Sequence, residues 1–405
     1  MFAQQQQRFP RPEFEQGYTF PTNQYINQRA PIWEFMDVAV LVAALVTTSW
    51  LAIKKRSRQG LIWMSVFSLA YFGFYRQGCI CAIGSIQNVS MALFNENYSM
   101  PLPALLFFII PLIAALLFGR VFCAGVCPLG AIQELAGFRM IRVGKNVEKV
   151  LTAIPFVYLG LAILFSATGS QFIICRYDPF VGIFRLNAPY TMIIFGSLLL
   201  VVGIIVNRPY CRYLCPYGVL LNLFSRFSRR HVTISPAGCR NCRLCEPSCP
   251  YNAIMPSDPV RKDVMPEKRS WKTSWIYVML VVIMAASGAV FLHNIAPSLA
   301  RVNNRVQLAR EIRLENKTGR SSVSKAAIAF HESGKTEEQL FTEESAVIER
   351  FRQGAPWIGL FLGMSLGFGF MSISVRSVRT EYTIDRGRCV SCGKCFKYCP
   401  VEPNT

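Results

Sequence analysis

The chain has 405 residues, of which 52% are hydrophobic and only 16% are charged, and its mean hydropathy is +0.32. This composition argues against an ordinary soluble domain and predicts a polytopic membrane protein. The formal charge of +20 could indicate nucleic-acid binding, but the positive residues flank the apolar segments, so we expect no nucleic-acid partner.

The chain begins with a polar, glutamine-rich tail, residues 1–32, that lacks the features of a signal peptide. Apolar runs follow that are typical of membrane helices, with a buried core helix as the alternative for each. The predicted spans are 35–53, 61–75, 101–118, 151–168, 189–206, 274–293 and 356–373. The second is the shortest. It is shorter than the roughly 20 apolar residues that are usual for a span.

Positive residues are unevenly distributed between the segments that join these spans. Segment 207–273 holds twelve Lys or Arg residues against four acidic ones, whereas segments 76–100 and 169–188 are poor in lysine. The positive-inside rule therefore predicts a bacterial inner-membrane protein with a periplasmic N-terminus and a cytoplasmic C-terminus.

Three of the fifteen cysteines fall in the outward segments. Cys79 and Cys81 lie in RQGCICAIGSIQN, and Cys175 lies in IICRYDPFVGIF. These thiols, with Asp178 as the nearest fourth ligand, could hold an iron–sulfur cluster, and we call them the outer site. The alternative is a disulfide, which an oxidising periplasm permits and which would need Cys175 as a partner.

Two related motifs follow the third and fifth spans. GRVFCAGVCPLGAIQELAGF (119–138) and NRPYCRYLCPYGVLLNLFSRF (207–227) share an arginine, a C-x3-C-P motif and a glycine. Two spans separate the copies, so both emerge on the same face of the membrane. The predicted ligands of one [4Fe–4S] cluster, here called the inner site, are Cys123, Cys127, Cys211 and Cys215. Packed free cysteines are the alternative.

The residues around the inner site favour an anionic cofactor. Pro128 and Pro216 suit the first position of a helix, whose N-terminus favours negative charge. Arg120, Arg208 and Arg212 are predicted to bind the cofactor by adding positive potential.

Two longer runs carry the remaining cysteines. CRNCRLCEPSCP (239–250) and CVSCGKCFKYCP (389–400) both read C-x2-C-x2-C-x3-C-P, the pattern of bacterial two-cluster ferredoxins, in which the fourth cysteine binds the other cluster. The predicted ligand sets are Cys239, Cys242 and Cys245 with Cys399, and Cys389, Cys392 and Cys395 with Cys249. Strand-like stretches, HVTIS and EYTID, precede the runs, and a zinc site is the alternative.

The predicted fold class is mostly α: a polytopic helix bundle of about seven spans with a small split α+β two-cluster ferredoxin domain on the cytoplasmic side. The predicted segments are a tail at 1–32, a membrane core at 33–230, a first ferredoxin half at 231–270, a transmembrane helix at 271–293, a periplasmic loop at 294–356, a transmembrane helix at 357–375 and a second ferredoxin half at 376–405.

The CAGVCP and CRYLCP motifs followed by split ferredoxin runs resemble the membrane-bound [4Fe–4S] proteins of the NosR/NapH type, or polyferredoxins. GCICAIGSIQNV and AFHESGKTEEQL are similar to the C-terminal half of NosR, although Ala82 stands where a proline is expected. The resemblance implies an electron-transfer role in a redox complex, with a cytoplasmic donor and a periplasmic flavin- or haem-bearing partner. Residues 1–32 are too few for the flavin domain of NosR, so flavin is expected only on a partner.

The predicted function is an iron–sulfur electron-transfer subunit, rather than a stand-alone catalyst, between a cytoplasmic or quinol donor and a periplasmic-side acceptor. No catalytic residue is assigned. One alternative is a quinol dehydrogenase with its own quinone site, for which Asp37 and Glu34 are ionisable groups at the outer edge of the first span. The other is a redox-sensing regulator or maturation factor for a periplasmic reductase.

Overall fold

The computed structural model describes residues 30–78, 82–96, 98–137, 143–185, 189–234, 242–255, 271–319, 324–374 and 382–399. Within these ranges the chain is mostly helical with one pair of short strands, which confirms the predicted mostly α fold class.

The helices of the first half surround the two C-x3-C-P motifs. They are α1 (Pro31–Ile53), α2 (Arg58–Ser68), α3 (Ala82–Phe94), α4 (Leu102–Phe118), α5 (Pro128–Ala136), α6 (Lys145–Leu151), α7 (Ile154–Ala167), α8 (Ile173–Tyr177), α9 (Pro179–Arg185), α10 (Tyr190–Ile205), α11 (Pro209–Tyr213) and α12 (Pro216–Ser225). Two π-helical turns, Leu69–Tyr75 and Phe122–Val126, extend α2 and precede α5.

The second half contains the ferredoxin runs and a long helical hairpin. Its elements are α13 (Cys245–Ser248), β1 (Ile254–Met255), α14 (Trp271–Ala300), α15 (Asn304–Thr318), α16 (Lys325–Glu332), α17 (Glu337–Ser374), β2 (Thr383–Ile384) and α18 (Lys394–Tyr398). Segment 294–356, predicted as a loop, is therefore largely helical, and the last predicted span is the second half of the continuous helix α17.

Among the described residues, two helical stretches are long and apolar enough to cross a membrane, Ile32–Ile53 and Trp275–Ala300. Helices α3, α4, α7 and α10 are apolar but shorter, with at most 17 residues. At 1.5 Å per residue such helices reach at most about 26 Å, less than the hydrocarbon core of about 30 Å. The number of spans and the sidedness of the chain therefore stay predictions.

The apolar surface of α14 points away from the rest of the protein. Only 11% of its apolar window is buried, and large side chains such as Ile276, Val282 and Phe291 are exposed. An exposed apolar surface of this extent favours lipid over water as its surroundings.

Segment 76–100, which is predicted to lie outside the membrane, contains α3, which packs against α4 and α7. Ile83, Ile86 and Gln87 of α3 are buried there. This segment is therefore a short helix inserted among longer helices, and α8 and α9 occupy segment 169–188 in a similar way.

Helices α14 and α17 form a hairpin whose backbones touch. A Cβ atom on Gly359 would lie 2.2 Å from the carbonyl oxygen of Gly288, and one on Gly363 would lie 2.1 Å from that of Met284. Only glycine permits so close an approach, which is typical of helix pairs in membranes.

The hairpin brings the two ferredoxin halves together. Strands β1 and β2 pair antiparallel, with Ile254 opposite Ile384 and Met255 opposite Thr383. The strand predicted in EYTID is confirmed. The strand predicted in HVTIS is wrong: residues 231–234 have no regular structure, because Val232 packs into an apolar cluster with α1 and α2, and β1 follows the first cysteine run instead.

Candidate metal centres

The first centre is a cavity between the ferredoxin halves. Cys249 of the first run lines it together with Cys389, Cys392 and Cys395 of the second. These four cysteines are one of the two ligand sets predicted from the sequence, in which each run supplies the fourth ligand of the other run's cluster; we call this the crossed pairing. Burial raises the pKa of Cys389 to about 12, and the neighbouring Cys392 and Cys249 add to the effect. Metal binding at this cavity must therefore release protons from thiols.

The second ferredoxin set is described in part. Helix α13, which begins at Cys245, packs against α18, which ends one residue before Cys399. Cys242 and Cys399 are exposed, and Cys239 lies outside the described residues. This packing agrees with the predicted sharing of Cys399 with the first run.

The four cysteines of the inner site come together at two helix N-termini. Cys127 and Cys215 are the N-cap residues of α5 and α12, and the prolines that follow take the first helical position, as predicted. Gly130 and Gly218 lie against these two cysteines: their Cβ positions are 3.8 Å and 3.7 Å from the Cβ atoms of Cys127 and Cys215. Cys127 also interacts electrostatically with the other three cysteines of the set.

Two arginines connect the copies of the motif reciprocally. Arg208, which precedes the second copy, donates to the carbonyl of Cys123 in the first, and its Nη1 lies 3.4 Å from the Cβ position of Gly130. Arg120, which precedes the first copy, lies 3.4 Å from the Cβ position of Gly218 in the second. Its Nη2 is also 3.9 Å from the sulfur of Cys123. Both lie where positive charge would stabilise an anionic group.

The third predicted arginine lies elsewhere. Arg212 forms an ion pair with Glu148, donates to the carbonyl of Pro250 at 2.7 Å and faces the ring of Tyr251. Pro250 directly follows Cys249, so these contacts of Arg212 connect the second motif to the ferredoxin half. The contribution of Arg212 to the inner site stays a prediction.

Sequence reasoning missed a glutamine that contacts the inner site. Gln133 is fully buried in α5; its Nε2 donates to the sulfur of Cys211 at 3.4 Å and its Oε1 accepts the backbone N–H of Tyr210 at 3.0 Å. Its signal in the sequence is a pair of adjacent polar residues, at positions 133 and 134, in an otherwise apolar helix.

The next residue, Glu134, was also missed and joins several parts of the chain. Its buried carboxylate pairs with Arg208 at 2.8 Å, with Lys394 at 3.0 Å and with Arg58. Burial alone would raise the pKa of Glu134, but Arg208, Lys394 and Arg58 outweigh it and hold the pKa at about 2. Arg58 also donates to the carbonyl of Cys392 at 2.7 Å.

The inner site adjoins the ferredoxin cavity. Tyr251, Ala253 and Val390 form a small buried cluster, and Cys123 packs against it from the inner site. Cys389 packs against the same cluster from the ferredoxin cavity, as do the other two cysteines Cys249 and Cys392. The two cysteine sets thus share a wall of side chains.

Of the predicted outer site, the structure describes Cys175 and Asp178. Cys79 and Cys81 lie outside the described residues. Cys175 is exposed. Asp178 is buried; one carboxylate oxygen accepts the N–H of Phe180 at 2.9 Å and the other accepts the hydroxyl of Tyr210 at 3.2 Å. Both oxygens of the predicted fourth ligand thus already have partners.

Zinc and an iron–sulfur cluster differ in what they require of the cysteine sets. Four thiolates around one zinc ion at about 2.3 Å must lie within about 4 Å of one another. Among the described residues, no three Cys, His, Asp or Glu side chains are grouped closely enough to hold one metal ion. Four cysteines are also the usual ligand set of a [4Fe–4S] cluster.

Two family models, both described as "4Fe-4S binding domain", match the chain. One matches residues 100–146 and 188–235, which contain the two C-x3-C-P motifs, and the other matches residues 382–403, which contain the second ferredoxin run. No solved structure matches.

Several curated proteins are similar to parts of the chain. The regulatory protein NosR of Pseudomonas aeruginosa is 31% identical over 50% of this chain and 30% of its own length. Protein NirI of Paracoccus denitrificans is 33% identical over 35% of this chain and 23% of its own length. The putative electron transport protein YccM of Escherichia coli is 25% identical over 42% of this chain and 52% of its own length. The chain thus covers about half or less of each relative.

The fold, the cysteine sets and the matching models define a helical iron–sulfur protein with 4Fe–4S binding domains. Within this class the chain is NosR/NapH-like, since its relatives include NosR, NirI and YccM. The resemblance inferred from the motifs is confirmed.

Proposed function

We propose that the chain is a membrane-bound electron-transfer subunit that relays electrons between a cytoplasmic or quinol donor and a periplasmic-side flavin domain or reductase. A bound [4Fe–4S] cluster supplies one-electron chemistry. The observation that carries the proposal is the wall formed by Tyr251, Ala253 and Val390, against which cysteines of the inner site and of the ferredoxin cavity both pack.

A further contact connects the inner site to the outer site. Tyr210, next to Cys211, donates its hydroxyl to Asp178 at 3.2 Å. This bond joins a neighbour of an inner-site cysteine to a predicted outer-site ligand, which supports a route through the membrane core.

Transfer across a bilayer tests this proposal. The protein would be reconstituted anaerobically in liposomes, with a reductant added on the ferredoxin side and an impermeant acceptor trapped on the other. The variant Cys123→Ser should slow reduction of the acceptor at least about tenfold, because the inner site lies on the route, while the EPR signals of the ferredoxin clusters remain.

The control for this assay is Ser287→Ala, which removes an exposed hydroxyl of α14. It should transfer electrons at the wild-type rate. Unchanged transfer in Cys123→Ser would contradict the relay. Negligible transfer in the wild type itself would favour the regulator or maturation factor.

A quinol dehydrogenase is the second candidate, and one observation favours it. Asp37 of α1 is fully buried, accepts the hydroxyl of Tyr71 at 2.7 Å and pairs with Arg76 at 2.8 Å. Quinol oxidation needs a nearby proton acceptor. If this function is present, quinol should reduce the clusters of the isolated protein, and Asp37→Asn should slow that reduction but not reduction by dithionite.

A further inference from the structure

The side-chain amide of Gln133 is held in a single orientation by its partners. Its Oε1 accepts the backbone N–H of Tyr210 at 3.0 Å, and its Nε2 donates to the carbonyl of Leu129, one turn earlier in α5, at 2.7 Å. Exchanging the two amide atoms would set an oxygen against a carbonyl and one N–H group against another, so this orientation is the favourable one. The amide nitrogen carries a second N–H group, and that group donates to the sulfur of Cys211 at 3.4 Å.

The donor and the acceptor of this bond belong to different copies of the C-x3-C-P motif. Gln133 lies six positions after Cys127, and Leu221 occupies the same position after Cys215. Both side chains are buried. A leucine therefore satisfies the packing at this position of the repeated helix, so packing alone does not account for the amide of Gln133.

The sulfur of Cys211 is the acceptor that this amide would suit best in a metal-bound state. A thiol sulfur is a weak acceptor, whereas a thiolate that binds a metal carries negative charge and is a stronger one. The Gln133 amide is fully buried, where a hydrogen bond to a charged acceptor is stronger than in water. Hydrogen bonds to ligand sulfurs are one of the features by which a protein sets the potential of an iron–sulfur cluster.

We propose that Gln133 is a positioning residue that raises the potential of the iron–sulfur cluster at the inner site. Its Oε1 holds the backbone beside Cys211, and its Nε2 donates to the sulfur that Cys211 contributes as a ligand. The bond draws negative charge from that sulfur, so it stabilises the more negative, reduced cluster. The inference rests on the proposed function and adds a residue that sets the potential of one centre of the relay.

The midpoint potential of the inner cluster, followed by EPR in the full-length protein purified anaerobically, tests this role. Cys211→Ser should lose about four iron atoms per chain, which identifies the inner signal. Gln133→Leu copies the residue at position 221; it should keep this iron and lower the potential of the inner signal, while the ferredoxin signals stay unchanged. Unchanged iron in Cys211→Ser, or an unchanged potential in Gln133→Leu, would overturn the proposal.

A second variant, Gln133→Glu, separates the two ends of the side chain. Glutamate keeps an acceptor for the N–H of Tyr210, but at most one O–H replaces the two N–H groups, and the carbonyl of Leu129 competes for it. The potential should therefore fall in this variant too, and it can be measured even if Gln133→Leu fails to assemble the inner cluster. A wild-type potential in Gln133→Glu would limit Gln133 to holding the backbone and overturn the proposal.

Magnetic coupling between the reduced inner cluster and the amide nitrogen gives a direct signature of the bond. With a nitrogen isotope introduced only into glutamine side chains, pulsed EPR of the inner signal should detect this coupling, and Gln133→Leu should abolish it. A role confined to packing would produce no such coupling in the wild type, and that result would overturn the proposal.

The matched control is Ser225→Ala in α12, the corresponding helix of the second copy. It removes a buried hydroxyl that donates to the carbonyl of Asn222 at 3.0 Å, and it should keep both the iron and the inner potential. An equal fall of the potential in this control would contradict a specific role for Gln133.

The transfer assay keeps this inference distinct from the proposed function. If Gln133→Leu leaves the inner potential unchanged while Cys123→Ser still slows transfer across the bilayer, the inference fails and the proposed relay stands. If the potential falls while Cys123→Ser transfers electrons at the wild-type rate, the relay fails and the inference stands.

Discussion

Glu134 joins four separate parts of the chain through three cations. Arg58 belongs to α2, Arg208 precedes the second C-x3-C-P motif, and Lys394 opens the last helix of the ferredoxin half. Burying a carboxylate costs several kcal/mol unless partners compensate for the lost hydration, and these three cations do so. One buried charge thus joins the second ferredoxin half to α2, to α5 and to the segment before the second C-x3-C-P motif.

Glu134→Gln should therefore lower the free energy of unfolding by about 3–5 kcal/mol, since it leaves buried cations without their counter-charge. The pKa of Glu134, about 2, lies below the usual value of about 4.3, so the ionised form stabilises the fold above pH 4.3. The difference between wild type and variant should be constant from about pH 5 to pH 8 and shrink as the pH falls toward 2. Unfolding of both proteins in detergent at several pH values measures this difference in the free energy of unfolding.

The control is Glu349→Gln, which neutralises an exposed carboxylate of α17. Its effect should stay within about 0.5 kcal/mol, as is usual for surface positions. Equal effects of the two variants would contradict the role given to Glu134.

At the scale of elements, the hairpin of α14 and α17 connects the two ferredoxin halves. The first half precedes α14 and the second follows α17, so the relative position of β1 and β2 depends on how these helices pack. Their contact is made by glycines whose Cβ positions fall on the backbone of the partner helix. Small residues at this crossing are therefore required by geometry.

Gly359→Leu should force the helices apart and destabilise the protein by at least about 1–3 kcal/mol, the usual cost of overpacking. We also expect ferredoxin iron to be lost, because β1 and β2 would no longer align. Gly369→Leu is the matched control, since nothing lies within 4 Å of its Cβ position. Iron analysis and thermal unfolding compare the two, and identical behaviour would contradict this role of the hairpin.

At the scale of the whole molecule, each predicted metal centre draws ligands from segments that two predicted spans separate. The cavity shared by Cys249 with Cys389, Cys392 and Cys395 is the described example. Each ferredoxin run thus depends on the other for its fourth ligand. Neither half should retain a complete cluster alone.

Double variants test this crossed pairing. Cys249→Ser with Cys389→Ser should lose about four iron atoms, because both ligands belong to one cluster, whereas Cys249→Ser with Cys242→Ser should lose about eight. Iron analysis and EPR of anaerobic samples distinguish the two. The opposite order of losses would mean that each run completes its own cluster.

The sequence alone indicated the cysteine motifs, the two prolines at helix starts and the family resemblance, because motif spacing and helix entry are local properties. The strand prediction for HVTIS was wrong. HVTIS is as β-prone as EYTID, but the packing of Val232 against α1 and α2 leaves it without regular structure. Gln133, Glu134 and Lys394 could not be assigned roles, because their partners lie far along the chain. Tertiary structure alone decided which buried polar groups meet, since a buried charge or amide takes whichever partner the fold brings near it.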